Sequence, residues 1–405
     1  MSELSYLKKL LDGVEVEWKT LDDVGQFLRG KRFVKSDLIS EGVPCIHYGE
    51  MYTHYGISAE ETRSFLDESV AAKLRVANHG DVVIVAAGET IEDIGNGTTW
   101  LGKKDVVFHD ACFSFKSELN SKYVSYFLRT KLFKEQIKRE VSSGKISSIN
   151  AKGLGKAKIP IPYPDNPEKS LAIQSEIVRI LDQFTALTAE LTAELTAELT
   201  ARKKQYNYYR DQLLSFDEGE IEWVTLSVLA ENLDSKRKPI TSGLRDAGNI
   251  PYYGASGIVD YVKDYIFDGD FLLVSEDGAN LLARNTPIAF SISGKTWVNN
   301  HAHVLKFNTY AERRYVEYYL NSIDLTTYIS GAAQPKLNKK NLESIRVPNP
   351  SLEEKERIVS FLDKFDALTN SITEGLPREI ELRQKQYEYY RDLLFSFPKP
   401  ETVSN

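Results

Sequence analysis

The sequence predicts an α+β protein in which two mixed α/β domains are separated by two long helices that pack antiparallel as a coiled coil. Two observations predict it. Residues 202–216, RKKQYNYYRDQLLSF, return as RQKQYEYYRDLLFSF at 383–397, and ILDQFTALT (180–188) returns as FLDKFDALT (361–369). Both pairs share one offset of 181 residues, so the stretch between them is copied without gaps. The stretches outside those copies, 15–158 and 220–346, differ in length and have scarcely any sequence in common. A fixed frame around two unrelated inserts is a duplicated module.

Two shorter echoes mark the edges of each insert. GVEVEWKTL (13–21) matches GEIEWVTL (219–226), placing Trp18 at the position of Trp223. Asn150, Leu154 and Pro160 match Asn338, Leu342 and Pro348, and each insert leaves through a proline-punctuated exit, IPIPYP or VPNP. The expected organisation is a first domain over 1–158, a helical spacer over 159–217, a second domain over 218–347 and a C-terminal helical region over 348–405. Within the inserts, VVIVAA (82–87), FLLV (271–274) and HVLKF (303–307) read as short β-like runs, and 122–139 and 311–320 read as helical stretches.

Residues 168–215 lack Gly and Pro, so one helix of roughly 45 residues, about 70 Å long, is expected, with Pro167 at its entry. Ile173, Ile177, Ile180, Phe184 and Leu187 form an apolar stripe that needs a partner. The second copy, Ile358, Phe361, Leu362, Phe365 and Leu368, is the expected one. Pro377 in GLP (375–377) should break or restart that second helix. TAEL occurs three times in succession at 188–199. A four-residue repeat drifts around an α-helix by about 40° per copy, so it makes no fixed heptad seam. It reads either as a strong helix former or as a spacer adjustable in steps of about 6 Å.

Composition narrows the function. At 405 residues, 42% apolar and 27% charged, the chain suits a soluble multidomain protein. The start MSELSYLKKLL has no signal-peptide pattern, and no apolar run is long enough for a bilayer span. Cys45 and Cys112 make neither a disulfide framework nor a zinc cluster, which fits a reducing cytoplasm. The net charge is −7, so a nucleic-acid ligand requires segregated positive charge.

Such segregation exists. Residues 129–158 carry nine basic groups against Glu135 and Glu140. Lys131, Lys134, Lys138, Arg139, Lys145 and Lys152 are candidate DNA contacts there, and Ser147 and Asn150 supply polar groups in SSGKISSIN. The matching place in the second insert, GAAQPKLNKKN (331–341), offers Gln334, Lys336, Asn338, Lys339 and Lys340. Asn300, His301 and Arg284 complete the list, with Asn299 and His303 as alternatives that serve equally well as buried structural groups.

Catalytic signatures are missing from the sequence. DNPE and PNPS lack the second proline and the aromatic of an adenine-methyltransferase tetrad, and the first glycine of a P-loop ending in GKT (294–296) is Ala289. His301 and His303 have no Cys or carboxylate at metal-ligand spacing in the sequence. No catalytic residue, cofactor or metal is therefore assigned. Two readings compete with a DNA reader: a coiled-coil scaffold joining protein-binding domains, and an enzyme acting on DNA itself.

The duplicated exits, the paired QYxYYRDxL motifs and the TAEL array resemble the specificity subunit of type I restriction-modification systems. The array and the C-terminal GLPREIELRQKQYEYYRDLLFSF resemble the type IC branch. The resemblance covers about 1–21, 159–226 and 347–397. It implies two target-recognition domains that read the halves of a split double-stranded DNA site, in a circular, pseudo-twofold arrangement. It also implies docking of two methyltransferase subunits, with restriction subunits in the full complex. S-adenosylmethionine, ATP and Mg then belong to those partners, no membrane is involved, and the protein is cytoplasmic. Tyr206, Tyr208, Tyr209, Arg210, Tyr387, Tyr389, Tyr390 and Arg391 become candidate partner contacts, or else simple seals between helix and domain.

Overall fold

The computed structural model describes residues 13–217, 219–331, 334–371 and 373–397. Residues 1–12, and Ala332 and Ala333 of the second basic segment, lie outside them. By contacts the chain divides into two units, Met1–Ala193 with Glu381–Asn405, and Glu194–Ile380. The C-terminal residues thus belong with the N-terminal unit.

The two larger sheets of the first unit have five and four strands. The five-stranded one runs in the order Gly25–Arg29, Cys112–Ser117, Val82–Val85, Gly97–Trp100, Ser58–Ala59. Val82–Val85 is central, flanked on both sides and wholly buried, which is why four consecutive apolar residues suit it. The four-stranded sheet runs Ser64–Leu66, Val43–Ile46, Val106–Phe108, Val76–Ala77, and its two middle strands are parallel. The second unit is built on one six-stranded sheet, in the order Glu231–Asn232, Ala302–Lys306, Phe267–Ser275, Ala289–Val298, Ala247–Gly254, Gly257–Val262. Helix Tyr310–Ser322 packs against it, opened by a capping box between Thr309 and Glu312.

The sequence echoes turn out to be partners. In the first unit Val16–Thr20 pairs with Lys158–Pro162, setting Trp18 opposite Pro160. In the second unit Trp223–Thr225 pairs with Arg346–Pro348, setting Trp223 opposite Pro348. Asn150 and Asn338 each cap a short helix, accepting backbone N–H bonds from Gly153 (2.8 Å) and Asn341 (2.9 Å). The helical stretch expected at 122–139 is two helices, Ser121–Phe127 and Lys131–Ile137. Thr130 divides them: its buried hydroxyl bonds Phe127 O, and its oxygen caps the second helix through Phe133 N–H.

The central helix is continuous over Pro167–Leu213, 47 residues. Its duplicate is broken into Leu352–Asn370 and Gly375–Leu394, with Pro377 inside the first turn of the restarted helix, where a missing N–H costs nothing. Within each unit the two helical segments run antiparallel. Phe184 stacks 5.2 Å from Tyr390, and Thr185 Oγ1 lies 3.1 Å from Tyr387 Oη. In the second unit Tyr206 sits 6.5 Å from Phe365 and Tyr209 sits 5.4 Å from Phe361.

The expected face-to-face packing of the two apolar stripes is corrected by these contacts. Ile177, Ile180 and Leu181 enter the core of the first unit, and Ile358, Val359 and Leu362 enter that of the second. Each stripe serves its own domain because antiparallel pairing sets the beginning of one copy beside the tyrosine-bearing end of the other. The helix ends then act as plugs. Phe395 is buried in the first unit with ring centroids 4.9 Å from Tyr123 and 5.7 Å from Phe127. Leu214, at the matching position of the first copy, is buried in the core of the second unit. Phe395→Ala should therefore destabilise the first unit by about 3 to 5 kcal/mol, measured by chemical denaturation of the full chain, although residue 395 is remote in sequence.

Candidate nucleic-acid interface

Parallel pairing builds the first site. Val43–Ile46 and Val106–Phe108 run side by side, Cys45 opposite Val107 and Ile46 opposite Phe108, so both strands end at the same edge. That edge delivers His47-Tyr48 and His109-Asp110 next to each other. The rings of His47, Tyr48 and His109 lie 4.6 to 5.1 Å apart, and Phe33 meets His109 edge-on at 5.1 Å. A third wall comes from the hairpin closed by mutual Ser142–Ser148 backbone bonds of 2.9 and 3.0 Å, whose Ser147–Ser148 pairs with Ala87–Gly88. Together they enclose a concavity of about 720 Å³, rimmed by Arg32, Lys35 and Lys145, with Glu89 and Asp110 also on its wall.

Burial holds both imidazoles below the ordinary histidine range; the neighbouring His109 lowers His47 further, while Asp110 opposes the shift in His109. Both rings are therefore neutral at pH 7. His47 Nδ1 accepts the Gly49 N–H (3.2 Å), and His109 Nδ1 accepts the Ala111 N–H (3.1 Å). Asp110 Oδ1 stands 3.1 Å from the same His109 nitrogen, an ion pair only for a charged ring; the neutral form is the one burial favours.

The second unit presents the same corner with different side chains. Glu276 N–H donates to His301 O as Ala86 N–H does to Ala111 O, and Leu337 N–H donates to Glu276 O as Ile149 N–H does to Ala86 O. A Ser330–Lys336 backbone pair, with both bonds 2.8 Å, closes the equivalent hairpin. The corner gathers Asn300, His301, Gln334 and Lys336. His301 Nδ1 lies 2.8 Å from Asp277, and Lys336 Nζ lies 3.1 Å from Glu276. Beneath it Asp234, Arg237, Glu276 and His303 form a buried network. His303 reaches Asp234 at 2.6 Å and Leu337 O at 2.7 Å, and Arg237 reaches Glu276 at 2.7 Å. Burial alone would raise both acids. The His303 contacts outweigh it for Asp234, and the Arg237 bond does so for Glu276, leaving both below the usual carboxylate range. The Asp234, Glu276 and His303 ligand atoms are close enough to hold a metal. Arg237 and Lys336 already supply positive charge to these carboxylates.

The remaining residues singled out in the sequence scatter. Lys145 and Ser147 belong to the first corner. Lys138, Arg139 and Lys152 are exposed, and the backbone N–H of Lys131 is 3.4 Å from Asp392 on the last helix. Lys134 is a correction: its ammonium donates to Glu92 O, Ile94 O and Asn96 Oδ1, and burial lowers its pKa to about 7. Arg284 is another, since its guanidinium bonds the carbonyls of Asn321 and Ile323 at the end of helix Tyr310–Ser322. Asn338 spends its side-chain oxygen as a cap, as Asn150 does; Lys339 lies 3.6 Å from Glu343, and Lys340 is exposed.

Among the motif tyrosines, Tyr206, Tyr209, Tyr387 and Tyr390 seal helix pairs, and Arg210 and Arg391 pair with Asp211 and Asp392. Tyr208 and Tyr389, equivalent in the two copies, face outward at 62% and 55% exposure. Sequence reading missed Arg32, Lys35, His47, Tyr48 and His109, which lie in separate loops. The signal available was the histidine or polar residue directly after a short apolar strand. Lys134→Met should cost about 1 to 3 kcal/mol by orphaning buried acceptors, seen in denaturant titration, while the salt dependence of DNA binding stays unchanged.

A family model described as the type I restriction modification DNA specificity domain matches residues 13–201 and 219–382. The Escherichia coli type I restriction enzyme EcoR124I/EcoR124II specificity subunit is 39% identical over the full length of both chains. A Haemophilus influenzae putative type I restriction enzyme specificity subunit is 33% identical, covering 97% of this chain and 98% of that one. Among solved structures, a chain from a study of complex assembly and conformational transition of the type I R-M system aligns with a TM-score of 0.62 at 13% identity. The alignment covers 94% of this chain and 97% of that one, a likeness of fold. The chain belongs to the type I restriction-modification DNA specificity family.

Proposed function

We propose that this chain is the sequence-reading subunit of a type I restriction-modification complex, each unit reading one half of a split double-stranded DNA site. The observation that carries this is the recurrence of one loop-and-hairpin corner in two inserts that share almost no sequence. A fixed backbone corner carrying Arg32, Lys35, His47 and Lys145 in one unit and Asn300, His301, Gln334 and Lys336 in the other suits two different targets. A pure scaffold leaves that recurrence unexplained.

The chain reads and its partners react. With no methyltransferase tetrad or P-loop in the sequence, methyl transfer from S-adenosylmethionine falls to two modification subunits. ATP- and Mg-dependent steps fall to restriction subunits. Tyr208 and Tyr389 are the outward groups of the duplicated motif and suit contact with those two modification subunits. No helix among the described residues is long and apolar enough to cross a membrane, and a cytoplasmic site of action fits the DNA ligand. The TAEL array acts as a spacer, one copy adding about 6 Å of helix against roughly 3.4 Å per base pair.

Modified-base sequencing of DNA from cells expressing this chain with its modification subunit tests the reading. A split motif methylated on both strands is expected, and deleting one TAEL copy should shorten its gap by one or two base pairs while both half-sites stay the same. A complex that assembles but imposes no motif contradicts the assignment, and an altered half-site contradicts the spacer.

A further inference from the structure

We propose that the concavity of the first unit is where that unit's half-site is discriminated, with His47 Nε2–H donating to an acceptor on a base edge in the major groove. The inference rests on the DNA-reading function above and deepens it by naming the group that reads.

Geometry decides the donor. His47 stands at the carboxyl end of a strand, half-buried, with its ring packed on Tyr48 and His109. Its Nδ1 is occupied by the Gly49 N–H, so in the neutral ring the proton sits on Nε2. That N–H has no partner among the described residues, and the ring lines the concavity. A neutral imidazole fixed in one tautomer is a directional donor; a charged one would bind any phosphate. The neighbouring ring does not compete for this role, because His109 Nδ1 accepts from Ala111 and its other side faces Phe33.

The rim supplies what a base reader needs around it. Arg32, Lys35 and Lys145 carry no ion pair among the described residues, so their charge is available to the flanking phosphates. Lys145 and the exposed Ile146 stand on the hairpin tip, and Tyr52 Oη donates to the carbonyl of Ala87 (2.9 Å), on the strand that pairs with that hairpin. Glu89 and Asp110 lend the site local negative charge, which disfavours loose phosphate capture and leaves selection to hydrogen bonding. In the major groove guanine, adenine and thymine offer acceptors at N7, O6 or O4, whereas cytosine offers only an amine donor. A single N–H donor therefore rejects cytosine at one position.

The test is competition binding of the assembled complex with its modification subunit against duplexes carrying every base at each position of both half-sites. His47→Ala and His47→Phe are compared with the unaltered chain; the second keeps an aromatic ring against Tyr48 and His109. Both should lose about five- to tenfold discrimination against cytosine at one position of one half-site, with the other half-site and the gap unchanged. Lys145→Ala should instead weaken all duplexes alike and lower the salt slope by about 0.9. Equal preferences in the His47 variants and the unaltered chain overturn the proposal. So does uniform loss across the half-site with a lowered melting temperature in both variants, which marks His47 as structural. An unaltered complex with no split preference instead overturns the DNA-reading function itself.

Discussion

Each unit depends on an apolar plug carried at the end of a repeated helix. Phe395 fills the space between Tyr123 and Phe127 in the first unit, and Leu214 takes the corresponding part in the second. The first plug arrives after the whole second insert has been traversed, so the core of the N-terminal unit is finished by the last described residues of the chain. This ties the positions of the two copies together. The stripe of each core comes from one copy of the frame and its plug from the other.

The same frame explains the smaller echoes. Trp18 and Pro160, far apart in sequence, are cross-strand partners, as are Trp223 and Pro348. Proline is tolerated there because each ladder has only two strands, leaving the outer edge free of backbone pairing demands. The short helices after Asn150 and Asn338 then return the chain to the frame. What the frame leaves free is the opposite corner, where a hairpin and a strand-end turn meet. Backbone bonds fix that corner equally in both units, and its side chains vary.

Legibility in the sequence followed the range of the interaction. The long helix, its restart at Pro377 and the short strands were readable because periodicity and proline geometry are local. The duplication was readable because it is written twice. The antiparallel pairing of the two helical copies was readable, but not which faces meet, since an apolar stripe shows that a partner exists without showing which one. Charge counting misled at Lys134 and Arg284, whose cationic groups are turned onto carbonyls by loops distant in sequence. It also picked Lys145 and Lys336, which both lie in the hairpin that each insert carries just before its exit. His47 and His109 were invisible: nothing in a linear sequence announces that two parallel strands will end side by side.

The central claim is that the two units read independently while sharing one frame. Exchanging residues 25–150 for the corresponding insert of a relative, then mapping methylated sites in cells, tests it most directly. The account predicts a motif in which one half-site is replaced and the other, with the gap, is retained. Replacement of both half-sites, or of neither, in a complex that still assembles would contradict it.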